Sequence, residues 1–192
     1  MRESTPAPGR PARLSREAIV TAALQSDLHT LTMRELATRL GVSHSALYRW
    51  VPDRDGLFDL ISDVMVERIL PSTEPTEATW RDWLRDLAWK MHDEFRAVPG
   101  YAAHVAAPHR HNPESFGRLR DRVLTAFRMA GASEDMAEQS WFVFGMSVVH
   151  WIGADHADYD LGEGTPRFDL FLDVLLRGLP AQEDARPAPT GG

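Results

Sequence analysis

Apolar residues recur at intervals of three and four through most of the chain, and no stretch alternates convincingly as a strand would. In the first third the pattern comes in short pieces. Ser15 is placed to cap a helix from Arg16 to about Ser26, with Ile19, Ala22 and Ala23 facing inward. Thr32 with Glu35 three residues on forms a capping box, opening a second helix whose apolar edge is Leu36, Ala37 and Leu40. Gly41 breaks that helix, and Ser43 caps a third, His44 to Trp50, with Leu47 and Val51 on its buried edge. Pro52 ends it, because the residue before proline avoids helical geometry. Asp53 caps a fourth helix striped by Leu57, Leu60, Ile61, Val64 and Met65, ending near Pro71.

Residues 71–79, PSTEPTEAT, are polar and proline-rich and predict a domain boundary. Beyond it, Trp80, Trp83 or Leu84, Leu87, Met91, Phe95 and Val98 predict one long amphipathic helix closed by Pro99-Gly100. A short helix at Tyr101–Ala107 and a loop at 108–113 follow. The next helix carries Phe116, Leu119, Val123, Phe127 and Ala130 and stops at Gly131; Ser133 caps another. The second half of that helix, WFVFGMSVVHWIG, is apolar on all sides, which predicts burial on two sides. The last helix, Arg167 to Leu179, has a wide apolar stripe. The expected fold is all-α: a disordered arm over 1–12, a three-helix helix-turn-helix domain over 13–71, a helical ligand-binding and dimerisation domain over 79–180, and a disordered tail over 181–192.

Two short helices joined by a tight glycine-containing turn make a helix-turn-helix, whose second helix enters the DNA major groove. His44, Ser45, Ala46, Tyr48 and Arg49 lie opposite Leu47 on the exposed side of that helix. Arg49 suits a bidentate contact to guanine and Ala46 a thymine methyl. Thr32, Arg34, Tyr48 and Arg54 are better placed for phosphate, and Trp50 either joins them or braces the helix.

Residues from about Leu14 to Leu70 resemble the DNA-binding domain of the tetracycline-repressor (TetR) family of bacterial regulators, most densely in LTMRELATRLGVSHSALYRWVPDRDGLFDLI, Leu31 to Ile61. The resemblance implies the same contact set, with Tyr48 at the place of a phosphate-binding tyrosine. It also implies that the fourth helix links head to body and that the final two helices pair with those of a second copy as a four-helix bundle. Two positions depart from the family pattern: Ser26-Asp27-Leu28-His29 stands where glycine is common, and Arg54 where lysine is common.

Net charge of −7 alone argues against nucleic acid, but residues 1–52 carry +3 and residues 53–192 carry −10. That asymmetry fits a small DNA-facing head on an acidic body, with two mildly basic heads needed for affinity. There is no cysteine, no signal-like start and no apolar run long enough for a membrane span, which predicts a soluble, cytoplasmic protein.

A hydrophobic effector is expected among Trp83, Leu87, Met91, His104, Phe127, Trp141, Phe142, Met146 and His150, with Ser147 as a further interior polar group. The dimer face is expected on Phe144, Val148, Trp151, Phe168, Phe171, Leu172, Leu175 and Leu176. His109-x-His111 and His150…Asp155-His156-x-Asp158 lack metal-site spacing, and there is no phosphate loop or nucleophile elbow, so neither metal, cofactor nor catalysis is expected. The reading is a homodimeric, ligand-responsive repressor of a palindromic duplex DNA operator, with no membrane association. The alternative is a helical small-molecule- or partner-binding protein without specific DNA recognition.

Overall fold

The computed structural model describes residues 14–107, 109, 111–154 and 164–182. The arm expected over residues 1–12, the group Asp155–Asp158 and the tail from residue 183 lie outside them. Regular structure among the described residues is helical throughout: α1 (Arg16–Leu24), α2 (Met33–Arg39), α3 (His44–Tyr48), α4 (Arg54–Ile69), α5 (Trp80–Ala97), α6 (Tyr101–Ala106), α7 (Pro113–Met129), α8 (Glu134–Gly153) and α9 (Phe168–Gly178).

Capping side chains set most of the starts by satisfying orphan N–H groups of the first turn. Ser15 Oγ accepts from Ala18 N, Ser43 Oγ from Ala46 N, Asp53 Oδ1 from Gly56 N and Ser133 Oγ from Met136 N. The Thr32–Glu35 capping box is complete in both directions. Asn112 caps α7, where Pro113 occupies the first position without losing a needed donor. Gly41 (φ 65) and Gly131 (φ 89) end α2 and α7 in the left-handed region.

α3 is shorter than expected, ending at Tyr48. Trp50 and Val51 both donate to Leu47 O, so the chain closes in a turn ahead of Pro52. α4 is rotated relative to its expected stripe: Leu57, Phe58, Ile61, Met65, Val66 and Ile69 are buried, while Leu60 and Val64 are half-buried. The reason is that α4 packs on two sides, against α1 in the head and against α5 and α7 in the body.

The proline-rich segment after α4 is stitched down. Trp83 Nε1 donates to Thr73 O (2.8 Å), Arg122 donates to Pro71 O and Thr73 O (3.2 and 2.6 Å) and pairs with Glu74, and Pro71 and Pro75 are buried.

A second seam joins head to body. Where glycine is common in the α1–α2 turn, Asp27 Oδ1 accepts from His29 N (2.9 Å) and closes an Asx turn instead. Leu28 N then donates to Pro99 O (2.9 Å) in the α5–α6 turn. Gly100 (φ +79) makes this approach possible, because a Cβ there would stand 2.6 Å from His29 N.

Candidate DNA-binding face and ligand cavity

α2 and α3 pack through fully buried Leu36 and Leu47, which turns the opposite face of α3 to solvent. His44, Ser45, Tyr48, Arg49 and Trp50 are exposed there, and Ala46 is half-buried. His44 and Tyr48, one turn apart, meet edge-on at 4.4 Å. Trp50 is 50% exposed, too wet for a core brace. Thr32 Oγ1 is engaged with Glu35 in the cap, leaving its position at the start of α2 rather than its hydroxyl for DNA. Arg34 and Arg49 have no side-chain partner among the described residues.

Arg54 departs from the expected phosphate role. Its guanidinium donates to Leu28 O (2.6 Å) and Leu31 O (2.5 Å) and lies 5.3 Å from the Phe58 ring centre. A fork that fills two carbonyl lone pairs braces the α1–α2 turn against α4.

Behind α4 the body holds a cavity of about 460 Å³, open to solvent on the side of Phe142, Met146 and His150, a size suited to a drug-like ligand. α4 supplies Ser62, Met65, Val66 and Ile69; α5 Leu87, Met91 and Phe95; α6 Tyr101 and Val105; α7 Ser115, Phe116 and Leu119; α8 Trp141, Phe142, Phe144, Gly145, Met146, Val149 and His150. His109 and His111 complete the wall. Burial pushes the Tyr101 phenol upward, opposed by its hydrogen bond with Ser62.

Of the residues expected around a ligand, Leu87, Met91, Trp141, Phe142, Met146 and His150 line this cavity. Three do not. Trp83 is buried against the proline-rich segment, and Phe127 is fully buried beside Phe144. His104 faces the head and stacks on Phe58 at 3.6 Å. Sequence reasoning set His109-x-His111 aside as a failed metal pattern and missed its place here; α6 ending just before it was the available signal. Among the described residues no cluster of His, Asp and Glu is arranged to hold a metal ion, and no helix is long and apolar enough to cross a membrane.

His104 has a lowered pKa, about 4, because burial penalises the charged ring and His109 and Arg54 add repulsion. Its folded value lies below the unfolded one, so between those values the unfolded chain binds more protons. The resulting stability is present above about pH 6.5 and is lost as pH falls toward 4. Urea midpoints measured across that window should decline less in His104→Gln than in the parent chain; parallel declines would show that His104 does not contribute.

The expected dimer residues divide. Phe144, Val148, Phe168, Leu172 and Leu176 are buried within this chain, as the inner edges of α8 and α9. Trp151, Phe171 and Leu175 are half-buried, with Trp151 stacked on Phe171 at 4.3 Å. The exposed large apolar side chains of these two helices are Phe142, Val143 and Met146 on α8, of which Phe142 and Met146 also line the cavity mouth, and Leu170 and Val174 on α9. A shallow trough runs along Trp151, Leu170, Phe171, Val174 and Leu175.

No family model matches the chain, and no curated protein matches it by sequence. Solved structures do. The TetR family protein ActR of Streptomyces coelicolor, in complex with (S)-DNPA, superposes with a TM-score of 0.72 at 21% identity, over 88% of this chain and 98% of that one. The chain has the TetR-family fold. BioQ with its double-stranded DNA operator matches at TM-score 0.68 and 20% identity, over 88% of this chain and 100% of its own. A TetR variant from Acinetobacter baumannii AYE, in complex with minocycline, matches at 0.64 and 23%, over 86% and 96%. The TetR fold thus spans both the exposed helix-turn-helix and the cavity of this chain.

Proposed function

We propose that this chain is a TetR-family transcriptional regulator: a homodimeric repressor that binds a palindromic operator and is released by a small hydrophobic effector. The observation that carries the reading is the double membership of α4. Its N-terminal end holds the head through Arg54 and Leu57, and its C-terminal half lines the cavity through Met65, Val66 and Ile69. Sixteen helical residues span about 24 Å, so a ligand that shifts the cavity end tilts the head. The head covers residues 13–71 and the ligand-binding and dimerisation body residues 79–180. Two α3 helices, one per subunit, read successive major grooves, with Arg34 and Tyr48 on phosphates and Arg49 on a base edge. The effector lowers operator affinity by as much as it prefers the conformation whose heads are wrongly spaced. The DNA complex of BioQ and the ligand complexes of ActR and TetR support the same division of labour.

The test is a fluorescence-anisotropy titration against duplex DNA from the gene's own upstream region at two salt concentrations. Tight binding at two subunits per site, weakening with salt, is expected. Binding that is weak and indifferent to sequence would favour instead a helical ligand-binding protein whose head serves as scaffold.

A further inference from the structure

Two imidazoles of the cavity wall are fixed in one tautomer by their own backbone. His109 Nδ1 lies 2.8 Å from Ala107 O, and His150 Nδ1 lies 2.9 Å from Met146 O. A carbonyl oxygen only accepts, so each Nδ1 must carry the proton. Each neutral ring is then left with Nε2 as an unprotonated acceptor. Ser115 adds a second polar demand: it lines the cavity, is 1% exposed, and its Oγ has no hydrogen-bond partner among the described residues. Among the described lining residues there is no carboxylate and no amine. Ser62 and Tyr101 are hydrogen-bonded to each other, the Asn112 amide is spent on the α7 cap and Asp59 O, and the His111 ring stacks on Phe116 at 4.0 Å. The remaining wall is apolar and aromatic, with Phe116 and Trp141 edge to face at 5.6 Å and thioethers at Met65, Met91 and Met146, a surface suited to flat rings.

From this geometry we propose that the cavity takes an aromatic ligand bearing acidic O–H groups, phenolic or carboxylic. A phenolic O–H donates to the Nε2 of one of His109 and His150. A carboxyl group, ionised in neutral water, meets the other with one proton taken up from water and shared between its oxygen and Nε2. A ligand oxygen accepts from Ser115. The chemistry discriminates. An acidic O–H gives Nε2 the proton it lacks, whereas an ether or ester oxygen meets a lone pair with a lone pair. An ammonium-bearing ligand finds no carboxylate partner in the wall. This rests on the effector reading of the cavity and specifies its ligand class.

Hydroxynaphthoic acid supplies both kinds of O–H on one aromatic body, and its methyl ether methyl ester caps both. Calorimetric titration of the full-length protein with each compound should show the free acid binding at one per chain, at least tenfold tighter than the capped form. His150→Phe and His109→Phe should each reduce that ratio, weakening the free acid while sparing or strengthening the capped compound, which no longer faces the Nε2 lone pair. Ser115→Ala should weaken the free acid further, with circular dichroism confirming an intact fold. Retention of the full ratio in both histidine variants would overturn the assignment to these rings. Equal binding of the two compounds, preference for the capped one, or binding of neither would overturn the ligand class. The operator titration is run without either compound, so operator binding beside such a result leaves the regulator reading standing. Absent operator binding beside a clear preference for the acid would remove that reading and keep the ligand class.

Discussion

Arg49→Ala is expected to lower operator affinity by roughly thirtyfold or more while leaving the thermal unfolding midpoint where it was. The side chain is exposed and has no partner among the described residues, so its removal leaves none of their polar groups unpaired. A bidentate arginine–guanine contact discriminates by about 1–3 kcal/mol, and a dimer makes it twice. Arg34→Ala should behave differently. A phosphate contact carries no sequence information, so affinity should fall about equally on operator and random duplex. The slope of log affinity against log salt should shrink by roughly two for the dimer. Anisotropy titrations over a salt series separate the two patterns. Unchanged operator affinity in the double variant would remove α2 and α3 from the interface.

Leu170→Glu combined with Val174→Glu is expected to turn a dimer into a folded monomer. The two side chains are 52% and 69% exposed, so carboxylates there have water in the single chain. They lie one helical turn apart on the outer side of α9, where a symmetric partner would set like charges against each other. Light scattering on a sizing column should return twice the chain mass of 21.6 kDa for the parent and once for the variant. Operator affinity should fall by about a hundredfold or more, because one mildly basic head binds alone. A variant that stays dimeric would place the self-association face elsewhere.

Where five of the described helices begin was legible in the residues, because capping is a local transaction. The Asn112 cap of α7 was missed, and α5, α6 and α9 start without a side-chain cap. Ser15, Thr32, Ser43, Asp53 and Ser133 each satisfy the N–H three positions on, and nothing distant overrides them. Which apolar residue faces which neighbour was not legible. In α8 every face is apolar, so periodicity does not tell inward Phe144 from outward Phe142. The outcome depends on α6 and α7 covering one side. Arg54 shows the same gap in polar form: an arginine at a helix start looks available for phosphate until the carbonyls of Leu28 and Leu31 turn up beside it. His104 and His109 were separable only by knowing that Phe58 takes the first ring and the cavity the second.

The head of this protein is not a portable module. An excision after α4 would carry away Met65, Val66 and Ile69 with their cavity side bare, and would strip the α1–α2 turn of its bond to Pro99 O. Such a fragment would present a greasy strip to water and stick to its own kind. An excision before α4 would keep that strip covered but remove the Arg54 fork from the carbonyls it holds. A chimera exchanging DNA specificity between chains of this fold is therefore best cut within the surface of α3, exchanging exposed side chains and leaving both seams intact.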